Sequence, residues 1–241
     1  KQVFYWSFVA ALAGLLFGFD TVVISGADKK LQTLWDSSDG FHGAVVMAMA
    51  LWGTVAGAIF GGFPTQRYGR KQTLLGIGIL YTLSAIGSAL ANDPITFAAF
   101  RFIGGLGVGI STIAAPAYIS EIAPAKQRGR LVGLYQFSLV FGILLAFISN
   151  YLLSGIGEND WRWMMGVEAF PACFYTLLCL GIPKSPRWLI TKNRLEEAKA
   201  IYQQIDPEGS FEALVSELNQ DHTVENKNES IFQPKYRFPL Q

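Results

Sequence analysis

Residues 14–27 read GLLFGFDTVVISGA, and Asp20 within them is the only charged side chain between Gln2 and Ala27. An apolar run of this length is long enough to cross a bilayer. A charge left alone in hydrocarbon costs about 2.5 to 3.5 kcal/mol on insertion scales, and such residues face the interior of a bundle and find partners there. The stretch therefore predicts a membrane helix that turns Asp20 toward other polar groups and away from lipid.

The rest of the chain fits that reading. Of its 241 residues, 51% are hydrophobic and only 15% are charged, with a mean hydropathy of +0.32. A soluble domain carries about 25% charge. Apolar runs occupy roughly residues 3–27, 43–65, 72–91, 94–120, 131–155 and 162–183, each followed by a short polar cluster. The expected fold class is an all-α membrane protein of six transmembrane helices, with short amphipathic helices after the sixth. The polar breaks alternate in charge: Arg67, Arg70 and Lys71, then Lys126, Arg128 and Arg130, then Lys184, Arg187, Lys192 and Arg194. By the positive-inside rule these face the cytoplasm, as do both termini of the chain.

Composition also excludes several functions. A net charge of +1 gives no field for nucleic acid. Cys173 and Cys179 lie in an apolar run and read as packing residues, while His42 and His222 belong to no metal-ligand spacing, so no metal or cofactor is expected. No nucleophile and base arrangement and no phosphate loop occur, and the chain is not expected to be an enzyme. Because it starts with Lys1 it is expected to be trimmed.

Gly53, Gly57 and Gly61 recur every fourth residue in the second run, and Gly105 and Gly109 do so in the fourth. Such rows let a neighbouring helix approach closely, either for static packing or for faces that rock during transport. Three regions follow: a six-helix bundle over 1–183, helices on the cytoplasmic side over 184–222, and a linker over 223–241. In the second region Ser185 and Pro186 can open a helix, Leu195, Ala198, Tyr202 and Ile205 share one face, and Pro207 ends it. The polar residues from Asp221 to Ser230 read as linker.

Two more charges interrupt apolar runs. Asp20 lies seven residues before Ala27, Arg101 seven after Pro94 and Glu168 seven after Trp161, which puts all three about 10 Å below the outer end of the bundle. Two carboxylates and one guanidinium cannot all be neutralised in pairs. Two readings follow: a permanent ion-pair network, or a cluster that takes up a proton and titrates as a unit.

Several longer motifs appear in order: GLLFGFDTVVISGA, RYGRK (67–71), RFIGGLGVG (101–109), PAYISEIAP (116–124), RGRLVGLYQ (128–136) and PKSPRWL (183–189). Together they resemble the amino-terminal half of sugar porters of the major facilitator superfamily. The resemblance implies a transporter of a monosaccharide, hexose or pentose, working by alternating access in a plasma or bacterial inner membrane. It implies proton coupling, with Asp20 as proton acceptor, Arg101 as its partner and Glu168 as the second carboxylate. Substrate binding would use Gln136 and Phe17. Ile143 stands where the bacterial xylose symporter pattern has a second sugar-binding glutamine. A cytoplasmic gate would comprise Arg67, Gly69, Arg70, Glu121, Arg128 and Arg130. Gln66 and Lys184 depart from the family pattern, which usually has an acidic residue or asparagine at the first position and glutamate at the second.

The resemblance further implies two six-helix halves with sugar between them. This chain stops where a seventh helix should begin, so its expected partners are a monosaccharide, a proton, the lipid bilayer and a missing carboxy-terminal six-helix half. On this reading it is a fragment or truncated product that does not transport unaided. A passive facilitator or nontransporting sugar sensor on the same fold, and a membrane scaffold half, are the alternative readings.

Overall fold

The structure is a computed structural model that describes residues 2–225 except 125 and 208. Six helices are long and apolar enough to span a membrane: Gln2–Gly26, Asp39–Phe60, Arg70–Leu90, Pro94–Ile122, Arg128–Leu153 and Asp160–Leu180. They coincide with the six apolar runs within a few residues, except that the second starts earlier and stops earlier. It opens with one α-helical turn, Asp39–Phe41, passes into a π-helical segment, His42–Met47, breaks at Gly61 and continues as a separate short helix, Gly62–Arg67.

Helix boundaries follow local chemistry. Asp93 caps the fourth span, its Oδ1 accepting from the backbone N–H of Ile95 at 3.1 Å and of Thr96 at 2.8 Å, with Pro94 in the first turn. The hydrogen bonds from Thr96 hold the exposed Asp93 carboxyl below its ordinary value. The sixth span is interrupted between Gly166 and Ala169. Pro171 explains the break, because a proline in a helix offers no N–H and its ring clashes with the carbonyl four residues earlier, here that of Val167.

Lipid tails are as apolar as leucine, so close van der Waals contact must hold the spans together. The first span packs mainly on the fifth, while the second and third both pack on the fourth. The two glycine rows meet each other. A Cβ built on Gly53 would lie 3.0 Å from the Gly105 Cα, and one on Gly57 would lie 3.1 Å from the Gly109 Cα. Between the first and fifth spans, Gly18 is pressed against the Leu139 backbone and Gly142 against that of Leu15.

The two ends of the bundle differ in charge. One end, called the basic end below, carries Arg67, Arg70, Lys71, Arg128, Arg130 and Lys184. At that end three helices follow the sixth span: Pro186–Thr191, Leu195–Ile205 and Phe211–Glu225. Ser185 caps the first of them by accepting from the N–H of Trp188 at 3.2 Å. Trp188, Leu189, Ala198 and Phe211 form their small core. The last helix continues through Asp221–Glu225, which corrects the expectation of a linker from Asp221. Neither proline nor glycine interrupts these residues, so nothing stops helix propagation. Residues 226–241, most of the expected linker, lie outside the described residues.

At the opposite end, the buried Asp160 pairs with Lys30 and accepts from the N–H of Gly155 at 2.8 Å. His42 Nε2 sits 2.7 Å from Asp28 Oδ1. Trp35, Phe97 and Trp161 pack edge to face and tilted around each other.

The glycine contacts give a direct test. Gly105→Val would drive a side chain into the backbone of the second span and should cost about 1 to 3 kcal/mol. Thermal unfolding of the full-length protein in detergent should show a lowered midpoint. Gly133→Ala, where a Cβ meets nothing within 4 Å, should not lower it.

Candidate functional site

Three spans bring Asp20, Arg101 and Glu168 together, each only 1% exposed. Arg101 donates from one terminal nitrogen to Asp20 Oδ1 and from the other to the Asp20 backbone carbonyl at 2.9 Å. Glu168 is buried near both Asp20 and Arg101. It occupies the interruption of the sixth span, so the Pro171 break is what positions it.

The surroundings are tight and incompletely satisfied. A Cβ on Gly104 would collide with the Ser84 hydroxyl and lie 3.4 Å from Asp20 Oδ1, so this glycine of RFIGGLGVG leaves the room that Asp20 uses. Among the described residues, Glu168 Oε1, Arg101 Nε and the hydroxyls of Tyr81 and Ser84 have no hydrogen-bond partner. A buried polar atom without a partner costs about 1 to 3 kcal/mol. Tyr81 is fully buried beside Asp20 and Glu168. The cluster thus holds two acids, one base and unused donors and acceptors, and it borders a cleft of about 410 Å³ lined in part by Thr21, Ser25, Met47 and Thr54.

Phe17 and Ile143 are half-buried on the adjacent first and fifth spans, and Gln136 is exposed on the fifth. Among the described residues the Gln136 amide makes no hydrogen bond to another helix.

At the basic end the expected gate assembles only in part. Arg70 donates from Nε to Glu121 Oε1 at 2.9 Å, pairs with it again through a terminal nitrogen at 2.7 Å and reaches the Thr65 carbonyl at 3.2 Å. Gly69 has φ +91°, and a Cβ there would stand 2.8 Å from the Trp188 ring. Trp188 Nε1 donates to the Gln66 carbonyl at 2.9 Å, tying PKSPRWL to RYGRK. Arg128 shares a cavity of about 290 Å³ with Glu121, Arg187, Asp206 and Glu217. Lys184 meets Glu197 at 3.4 Å, so its charge is matched by a partner of opposite sign. Arg67 and Arg130 are exposed and, among the described residues, do not join the Arg70–Glu121 pair.

Sequence reading overlooked Tyr81, Ser84, Gly104 and the Lys30–Asp160 pair. The serine and tyrosine look like ordinary span residues, and 130 positions separate the two members of the ion pair. The Pro171 break was a readable signal.

The family model described as sugar (and other) transporter matches residues 6–237. The chain belongs to this family, and its six spans have the fold of the amino-terminal half of a major facilitator transporter. It is 39% identical to the glucose transport protein of Synechocystis sp. over 94% of this chain and 50% of that protein. It is 34% identical to the D-xylose-proton symporter of Escherichia coli (85% and 48%) and 34% identical to the arabinose-proton symporter of Bacillus subtilis (97% and 52%). The solved proton:xylose symporter XylE bound to 6-bromo-6-deoxy-D-glucose superposes with a TM-score of 0.86 at 33% identity, covering 94% of this chain and 55% of that one. The chain thus spans about half the length of these curated relatives. These are transporters and not enzymes.

Gly69 offers a test of the basic end. Gly69→Ala places a side chain in a left-handed backbone position and against the Trp188 ring, at a cost of about 1 to 3 kcal/mol. Faster tryptic cleavage at Arg67 and Arg70 in the full-length protein is the expected result.

Proposed function

We propose that this chain is the amino-terminal half of a proton-coupled monosaccharide symporter. Asp20, Arg101 and Glu168 form its coupling site. The observation that carries the reading is the charge imbalance of a buried cluster beside a cleft, two acids against one base. With Asp20 ionised, Arg101 holds the first span to the fourth. A proton arriving on the pair of carboxyls weakens the Asp20–Arg101 attachment and frees the spans to move with the sugar bound. Gln136 supplies hydrogen bonds to sugar hydroxyls, Phe17 covers an apolar sugar face, and Ile143 contributes only apolar contact. Gly69, Arg70, Glu121 and Arg128 form the core of a gate on the cytoplasmic side, with Arg67 and Arg130 at its edge. The full-length protein spans a plasma or bacterial inner membrane many times, and both termini of this chain face the cytoplasm. Relatives described as D-xylose-proton and arabinose-proton symporters support the choice of substrate class and coupling ion.

Uptake by the full-length transporter with Asp20→Asn tests the coupling role. Accumulation against a gradient should be lost while exchange of labelled sugar across the membrane persists. A variant that still concentrates sugar would remove Asp20 from the coupling step. A second expectation concerns the sugar contact. Ile143→Gln adds a hydrogen bond worth about 0.5 to 1.5 kcal/mol, so the half-saturating concentration of the transported sugar should fall by a factor of about 2 to 13.

A further inference from the structure

Arg67, like Arg128 and Arg130, forms no ion pair at the basic end among the described residues. Arg70 is committed to Glu121, and Lys71 donates to the Leu180 carbonyl at 2.9 Å. The guanidinium of Arg67 instead lies over the rings of Phe63 and Tyr68, 5.6 and 5.7 Å from their centroids. It is exposed and, among the described residues, has no carboxylate partner.

Tyr68, one of the rings under Arg67, also lines a groove of about 390 Å³. Pro64 and Tyr68 line it from the end of the second span, Gly76, Ile79 and Leu80 from the third, and Ile110 from the fourth. It exists because the second and third spans pack on the fourth rather than on each other. Gly76 deepens it, since a Cβ there would meet nothing within 4 Å. No acidic residue lines the groove, and its walls are almost wholly apolar.

The geometry points to a phospholipid site: an acyl chain lies in the groove, and the phosphate of an anionic headgroup is held by Arg67. The two parts have the chemistry and the order that such a lipid requires. Aliphatic walls give a chain continuous dispersion contact. A guanidinium presents a planar pair of donors to phosphate oxygens, and Arg67 is held in place by two aromatic rings. Tyrosine at the membrane surface suits the boundary between headgroup and chain. Charge complementarity selects the headgroup, because a choline or ethanolamine ammonium would offset the phosphate while phosphatidylglycerol leaves it unbalanced. This site is separate from the Asp20 cluster and does not depend on proton coupling.

The test uses the full-length transporter, exchanged into mixed phosphatidylglycerol and phosphatidylcholine and then examined by native mass spectrometry for retained lipid. Wild type should retain phosphatidylglycerol over phosphatidylcholine by about fivefold, the value of one basic residue near an anionic lipid. Arg67→Gln should bring that ratio to about one, while Gly76→Leu, which fills the groove, should reduce retention of both lipids. Arg67→Gln changes an exposed side chain and carries the test alone should Gly76→Leu not fold. A wild-type ratio near one, or an unchanged ratio in Arg67→Gln, would overturn the proposal. So would stabilisation by inorganic phosphate without lipid, which would mark a free-anion site in which the groove takes no part.

Discussion

The contact between Arg101 and Asp20 joins two helices in a medium that offers neither of them water. A guanidinium in hydrocarbon has to place its donors on protein atoms, and Arg101 places two of them on one residue, at the side chain and at the backbone carbonyl. That double attachment requires the first and fourth spans to approach at one height. Glu168 completes the cluster from a third span, and the cluster remains unbalanced because a single base serves two acids.

Close helix approach is the second constraint, and glycine meets it. The rows on the second and fourth spans face each other backbone to backbone, as do Gly18 and Gly142 between the first and fifth. Gly104 belongs to the same fourth-span series yet serves the charged cluster, because it leaves the space occupied by the Asp20 carboxylate and the Ser84 hydroxyl. One helix therefore uses small residues on one side for packing and on another to admit a charge. The third and fourth spans can close around Asp20 without expelling it.

At the basic end, one motif contributes to three different surfaces. In RYGRK, Arg70 turns inward to Glu121, Gly69 allows the Trp188 ring to lie against the backbone, and Arg67 points outward over two aromatic rings. Trp188 connects this loop to the helices after the sixth span through its bond to the Gln66 carbonyl. The side chain of Gln66 is not needed for that tie, so its departure from the family pattern leaves the connection intact. Lys184 likewise finds Glu197, a partner of opposite sign to the one its family position would call for.

Number, length and order of the spans were legible in the sequence, because hydrocarbon accepts only backbone that is satisfied within its own helix and so imposes long apolar runs. The isolated charges at 20, 101 and 168 were legible for a related reason, since each is conspicuous against an apolar background and its depth follows from helix rise. Helix rise carries no information about which face meets which neighbour. The sequence therefore listed Arg67, Arg70, Arg128 and Arg130 alike, and the tertiary structure separated the one that pairs with Glu121 from the three left exposed. Tyr81 and Ser84 became part of the site only through the close approach of the third and fourth spans at Gly104. Pairing of side chains distant in the chain depends on helix rotation and interhelical distance, and these are set by packing across the whole bundle rather than by any local run of residues.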